Sequence, residues 1–316
     1  MLILVTGGAG FMGSHLVDRL IALGYRVRVI DNFSSGRLEN LKHLEGNPNL
    51  EVIKGDLKNE GDAEEVVKGV DSVFHFAANP EVRVSTTEPR IHFEENVVAT
   101  FNLLEAMRKF GVREIVFASS SAVYGEPEEI PVNEDAPVRP ISVYGASKAA
   151  CEDLIHAYSR LYGIRSVILR YANVVGPRLR HGVIHDLLMK IRANKEELEV
   201  LGDGSQTRSF IHVDDAVEAS ILAWRLSKGY YEVYNVGNED WITVNDVVKA
   251  IISTLGLSGI RITYKPLYHG VGWLGDVKRI ALDISRIKKL GFKPRLNSMD
   301  SVISTIKSLA AELKVM

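Results

Sequence analysis

Residues 1–13 read M-L-I-L-V-T-G-G-A-G-F-M-G, and how this stretch folds decides how the rest is arranged. The apolar run at 2–6 predicts a buried strand, and the glycines after it open an amphipathic helical pattern over 14–23. Gly7, Gly10 and Gly13 form G-x-x-G-x-x-G, a variant of the strand–turn–helix fingerprint that takes a dinucleotide. That chemistry asks for a tight turn, backbone N–H groups close to a pyrophosphate, and a helix packed hard on its sheet. Glycines also populate ordinary turns, so the surrounding chain must supply the context.

It does so at the next strand. The run at 26–30 ends at Asp31, about 20 residues beyond the glycines, where a carboxylate accepts hydrogen bonds from ribose hydroxyls and repels a 2′-phosphate. Asn32, Phe33 and Ser34 follow, with no adjacent arginine, which favours NAD over NADP. Strand-like runs at 51–54, 72–76, 114–118 and 166–169 then alternate with helical patterns at 63–68, 94–110 and 147–162. This rhythm predicts an α/β fold, a doubly wound parallel sheet whose ligands bind beyond the carboxyl ends of its strands. Asp56, in G-D-L (55–57), is placed to meet an adenine amino group, and the small residues of F-A-A-N-P (76–80) let a cofactor backbone come close. Asn96 lies inside the helical pattern E-E-N-V-V-A-T, a poor place for asparagine, so it either pairs with backbone or lines the site.

After Arg170 the rhythm changes. A loop-like stretch precedes a helix at about 184–193 and a strand that ends in the turn of L-E-V-L-G-D-G-S. Strands at 210–213 and 232–236 flank a helix at 214–226, and segments 244–255, 261–264, 285–290 and 298–313 complete a mixed tail. The expected division is an NAD-binding domain over 1–170, with returning segments at about 210–236, and a smaller α+β lobe over 171–316 that mainly binds substrate.

Bulk properties narrow the partners. The 316 residues carry 38 basic and 40 acidic side chains, giving a net charge of −2, and 46% of them are hydrophobic. Nothing in that balance calls for nucleic acid or an anionic membrane. No apolar run approaches the ~20 residues of a membrane span. The single cysteine, Cys151, excludes an internal disulfide and reads as a buried helix residue. With no basic leader or cleavage site before the first strand, a cytoplasmic location is expected. His181, His185, His212 and His269 match no metal-ligand spacing, so no metal is expected.

The chemistry rests on two places. The fifth strand runs into S-S-S-A-V-Y-G (119–125), which sets three serines where a nicotinamide and its substrate would meet. In Y-G-A-S-K, Tyr144 precedes Lys148 by four residues, so a helix puts both on one face. A phenol beside an ammonium is expected to have a lowered pKa and to exchange a proton with a substrate alcohol while hydride moves between carbon and NAD.

These segments resemble the extended short-chain dehydrogenase/reductases, and among them the UDP-glucose/UDP-galactose 4-epimerases. The resemblance runs almost end to end, through T-G-G-A-G-F-M-G, D-N (31–32), G-D-L, H-F-A-A (75–78), E-N-V-V-A-T, S-S-S-A-V-Y-G, Y-G-A-S-K, R-Y-A-N-V-V-G-P (170–177), R-S-F-I-H-V-D-D (208–215) and N-V-G (235–237). It implies Ser121, Tyr144 and Lys148 as the catalytic trio. It further implies NAD contacts from Phe11, Met12, Asn32 and Leu57, and from Phe76, Ala77, Ala78, Asn96, Ser119 and Tyr171. Asn173, Arg208 and Asp276 fall at the nucleotide sugar, the first two against its diphosphate, and Val183 and Leu201 fall in segments that line the nucleotide pocket. Trp273 stands where some relatives carry an arginine, which leaves Arg178 or Arg180 to make the second diphosphate contact.

Related dehydratases carry acidic residues just before V-Y-G, where this chain has Ser121 and Ala122. Without that base, oxidation at C4 is reversed rather than followed by elimination, which favours epimerisation through a 4-keto intermediate with NAD kept bound. A 4-keto reductase or a related enzyme acting on a different nucleotide sugar, and a non-catalytic NAD-sensing protein, are the alternatives. Helices corresponding to 94–110 and 147–162 pair across a two-fold axis in relatives, so the resemblance also implies a homodimer.

Overall fold

The computed structural model describes residues 1–315. Strand β1 (Leu2–Thr6) leads into α1 (Phe11–Ala22), β2 (Arg26–Asp31), β3 (Leu50–Lys54), α2 (Glu60–Val67), β4 (Ser72–His75) and the short α3 (Pro89–His92). Then come α4 (Ala99–Phe110), β5 (Glu114–Ser120), α5 (Val143–Tyr162), β6 (Arg165–Tyr171) and β7 (Asn173–Val175). The remainder is α6 (Gly182–Ala193), β8 (Glu197–Leu201), β9 (Thr207–Arg208), β10 (Phe210–His212), α7 (Val213–Leu226) and β11 (Tyr231–Val236). Last are β12 (Ile242–Thr243), α8 (Val244–Leu255), β13 (Arg261–Lys265), α9 (Ser285–Lys288) and α10 (Ser298–Leu313).

Seven strands form one parallel sheet in the order β11-β6-β5-β4-β1-β2-β3. Strand alternation splits its side chains between two cores. Ile3, Val5 and Phe74 pack with Leu16, Val217 and Trp224 of α1 and α7, while Leu4, Val73 and Phe117 face Val66, Leu103 and Ile155 of α2, α4 and α5. The chain order reverses between β4 and β1, and the crevice at their carboxyl ends is where such sheets take ligands. Strand β11 returns to the sheet edge after the excursion through β7–β10. A third core, built from α6, α8, α10, β8 and β10 around Leu188, Ile251 and Ile306, lies beyond that crevice. Phe11, at the start of α1, packs against both the first and the third core.

Two departures from the sequence pattern bear on the site. Helix α5 starts at Val143 rather than 147, because Ser142 caps it by accepting the Gly145 N–H at 3.1 Å. Tyr144 and Lys148 therefore share one helix face. The pattern at 94–110 begins as a π-helix, Phe93–Val98, before α4. Such wide turns recur at functional sites, and this one holds Asn96 fully inside. Among the described residues no helix is long and apolar enough to cross a membrane, and no cluster of His, Cys, Asp or Glu is placed to hold a metal.

Candidate active site

A cleft of about 680 Å³ lies at the carboxyl ends of the strands, between the sheet and the third core. Its floor is the glycine turn. Gly7 has φ +65°, and a Cβ there would lie 2.8 Å from the Ala77 backbone; at Gly13 it would lie 2.2 Å from the Gly7 carbonyl oxygen. Gly10 begins α1 with no side-chain cap, so the helix's first N–H groups face the cleft unoccupied by protein. This is a cradle for an anion at a helix N-terminus. At the end of β2, Asp31 is buried and accepts from Ala9 N at 3.0 Å and Phe33 N at 2.8 Å. Burial raises its pKa and those two N–H groups oppose the rise. Asn32 Nδ2 donates to Asp56 at 3.2 Å, which couples two of the expected adenosine contacts. These residues fit a dinucleotide.

The cleft is lined by Phe11, Met12, Leu57, Phe76, Ala77, Ala78 and Tyr171 on the cofactor side, and by Asn173, Val183, Leu201, Arg208 and Asp276 on the other. Asn96 does not reach it. Its side chain accepts from Asn79 N at 2.9 Å and donates to Ser147 Oγ at 2.8 Å, so it ties the two walls together from behind. Ser119 lies at the cleft, but its hydroxyl is committed to buried Glu152, which also pairs with Arg170 at 2.6 Å. The Tyr171 hydroxyl turns away to Ser220 Oγ at 2.6 Å.

At the reaction end, Lys148 is buried and donates to the Ala118 carbonyl at 2.7 Å, with Nζ 4.8 Å from the Phe117 ring centre and 6.0 Å from that of Tyr144. Burial lowers its pKa to about 8, with Cys151 and Glu152 acting against the fall. The Tyr144 phenol behaves differently from the expectation. Burial raises its pKa, and the Ser120 hydroxyl opposes the rise.

The hydroxyl that meets Tyr144 is that of Ser120, the last residue of β5. Ser121, the serine expected from the sequence, lines the cleft one residue further on, in the 3-10 turn Ser121–Tyr124. Successive strand residues face opposite ways, and the turn interrupts that alternation at this point, so three serines in a row leave the sequence silent on which one faces the phenol. Sequence reasoning also missed a polar rim beside Tyr144. Ser85 Oγ accepts from Tyr144 N at 3.1 Å, and Arg83, in the same turn, pairs with Glu81 at 2.9 Å and with Asp186 of α6 at 2.9 Å. The Arg83 guanidinium lies 6.0 Å from the Trp273 ring centre.

On the substrate side, part-buried Arg208 pairs with Asp276 at 2.6 Å, and the other Asp276 oxygen accepts from Gly272 N at 2.9 Å. The aspartate fixes the guanidinium at the cleft wall. Arg178 and Arg180 are occupied elsewhere, Arg178 with Ser14 and Asp18 of α1, Arg180 with Glu312 of α10.

Beneath the crevice, His75 is fully buried, with its ring nitrogens 2.7 Å from Thr6 Oγ1 and 2.9 Å from Thr100 Oγ1. Burial drops its pKa from 6.5 to about 3. Below pH 6.5 the unfolded chain binds a proton that the folded one refuses, so stability is lost as pH falls toward 3. The loss should reach roughly 2 kcal/mol by pH 5. Urea unfolding at pH 7 and pH 5 measures it, and His75→Asn, which cannot titrate, should remove this part of the slope.

A glycine cradle, an acid at the second strand and a Ser-Tyr-Lys group across one crevice define an enzyme that uses a nicotinamide dinucleotide on an alcohol or ketone. Residues 3–237 match the family model described as the NAD dependent epimerase/dehydratase family, and the chain belongs to that family. It is 36% identical over 315 residues to the UDP-glucose 4-epimerase of Mycolicibacterium smegmatis, covering 96% of this chain and 97% of that one. A crystal structure of a UDP-galactose 4-epimerase is 50% identical, with a TM-score of 0.88, over 99% of this chain and all (100%) of the other. The Thermus thermophilus UDP-glucose 4-epimerase, solved in complex with NAD, is 34% identical with a TM-score of 0.86, over 98% of each chain.

Proposed function

We propose that the protein interconverts UDP-galactose and UDP-glucose by NAD-dependent 4-epimerisation. The observation that carries this reading is a protonatable phenol in a cleft whose acids on the substrate side are paired with arginines. Of the acids that line the cleft, Glu81 and Asp186 are paired with Arg83, and Asp276 with Arg208. Arg83 lowers the pKa of Glu81. A carboxylate held ionised by an arginine is a weak base for a carbon-bound proton, so a ketone at C4 is left with reduction as its exit.

Bound NAD supplies the reversible hydride acceptor, and its positive ring favours the phenolate. The protein's own part is to hold and move a proton. As the phenolate that bound NAD would favour, Tyr144 takes the proton of the substrate hydroxyl, and Ser120 hydrogen-bonds the same oxygen. Lys148, an ammonium below about pH 8, keeps positive charge beneath them. Arg208 holds the diphosphate while the sugar turns to present its other face, and Tyr144 then returns the proton. Val183 and Leu201 cover the nucleotide. We assign Ser120, Tyr144 and Lys148 the catalytic roles and Asp31 the adenosine ribose. Residues 1–170 with the return at about 210–236 serve as the cofactor domain, and the remainder as the substrate lobe.

Incubating the purified protein with UDP-galactose and no added NAD tests the reading. UDP-glucose should accumulate to an equilibrium mixture; turnover only when stoichiometric NADH is added would instead mark a reductase. We further propose a homodimer. Phe101 of α4 and Leu161 and Tyr162 of α5 are exposed at 44%, 71% and 40%, and burying such aromatic and aliphatic groups against a second copy is favourable. Light scattering should give twice the chain mass, and a monomer at working concentration excludes the dimer.

A further inference from the structure

The loop between β7 and α6 does more than connect them. Gly176 has φ +153°, and a Cβ there would lie 2.6 Å from Val213, so the chain can turn tightly at this point only without a side chain. It then crosses to α1. The Pro177 carbonyl lies 3.0 Å from His15 Nε2. Arg178 Nη1 donates to Ser14 Oγ at 3.0 Å, and its Nη2 lies 2.9 Å from Asp18. Arg178 adopts φ +67°, a left-handed conformation that costs a non-glycine residue of order 1 kcal/mol and persists only where its surroundings impose it. The next residue, Leu179, is buried in the third core, so the strained residue has a fixed anchor on each side.

This contact sits against the first two turns of the helix whose N-terminus forms the pyrophosphate cradle, and Phe11, Arg178 and Leu179 all line the cleft. A guanidinium beside a helix N-terminus is disfavoured by the helix dipole unless negative charge lies nearby. Asp18 supplies part of that charge, shared with His43 at 2.8 Å. A bound pyrophosphate would supply the rest.

We infer that the Pro177–Arg178 loop is a latch that retains the dinucleotide. Closing it ties the substrate lobe to α1 across the mouth of the cradle, and bound NAD and the closed latch stabilise each other reciprocally. The inference rests on the NAD reading and gives the enzyme a way to keep a cofactor it regenerates in place. Arg178 acts here as a positioning residue, and Asp18 is its partner outside the cleft.

The test follows release of radiolabelled NAD from the loaded full-length protein into excess unlabelled NAD. Arg178→Gln and Asp18→Asn should each speed release by roughly fivefold or more, as expected for losing a charge-assisted hydrogen bond. The double variant should release no faster than the quicker single one, because both changes open one contact. Acceleration by Arg178→Gln without Asp18→Asn would mean that Arg178 touches the dinucleotide directly, and would overturn the latch. Wild-type release in both variants would overturn it as well. If the wild-type chain takes up no NAD, the cofactor reading falls together with the latch, which separates the two failures. Melting curves of the unloaded variants identify any that fail to fold, and Asp18→Asn, a part-exposed isosteric change, still reads the contact in that case.

Discussion

Tyr144→Phe should lower kcat by roughly two to four orders of magnitude while the purified protein keeps its bound NAD. The substitution removes one hydroxyl and nothing else. The ring stays packed edge-on to His92, 5.6 Å between ring centres, and Lys148 keeps its bond to the Ala118 carbonyl. Neither the glycine cradle nor Asp31 touches the lost atom. The effect belongs in kcat rather than KM, because the phenol exchanges a proton only as the C–O–H bond becomes C=O. Released NAD, measured by absorbance after denaturation, should match wild type. Activity within a few-fold of wild type would remove Tyr144 from the reaction, and loss of NAD would make its role structural.

Gly13→Ala should nearly abolish cofactor content. A Cβ at this position would sit 2.2 Å from the Gly7 carbonyl oxygen and 2.8 Å from Gly8 Cα, and both are backbone. Relief requires α1 to move off the turn, which pulls the helix N-terminus away from the pyrophosphate and loosens the packing of Leu16 and Val17 under the sheet. Overpacking of this kind costs about 1–3 kcal/mol in stability, and the lost cradle adds the binding energy of the anion. NAD per chain and melting temperature should fall together. A variant that retains full NAD would show that the turn is not the pyrophosphate site.

Much of this was readable in the residues. Alternating β-branched runs and amphipathic helices carry the parallel sheet, because a strand buried on both faces must be apolar throughout. The turn glycines and the acid ending β2 are legible for the same reason, since backbone conformation and charge at a strand end follow from residue type. Side-chain direction was harder to read. Among Ser119, Ser120 and Ser121, one hydroxyl goes to Glu152 and another to Tyr144, and the choice depends on where β5 gives way to a 3-10 turn. Asn96 faces inward because the helix opens into a π turn there, which no 3.6-residue pattern announces. The acidified phenol expected from the Tyr-Lys spacing is opposed by burial. Helical spacing sets two groups on one face, but burial penalises charge on both, and the ammonium directs one of its three N–H groups to a carbonyl. The Arg83–Asp186 and Arg178–Asp18 pairs join residues more than a hundred positions apart, and only the tertiary fold brings them together.

The central claim is that Tyr144 handles only the hydroxyl proton, while the hydrogen on carbon leaves and returns as hydride. Converting UDP-galactose in D2O and examining the product by mass spectrometry and NMR tests that directly. The account predicts UDP-glucose with no deuterium bound to carbon, since hydride kept on the cofactor does not exchange with solvent. Deuterium at the inverted carbon would mean that a base had removed a proton there, and would contradict it.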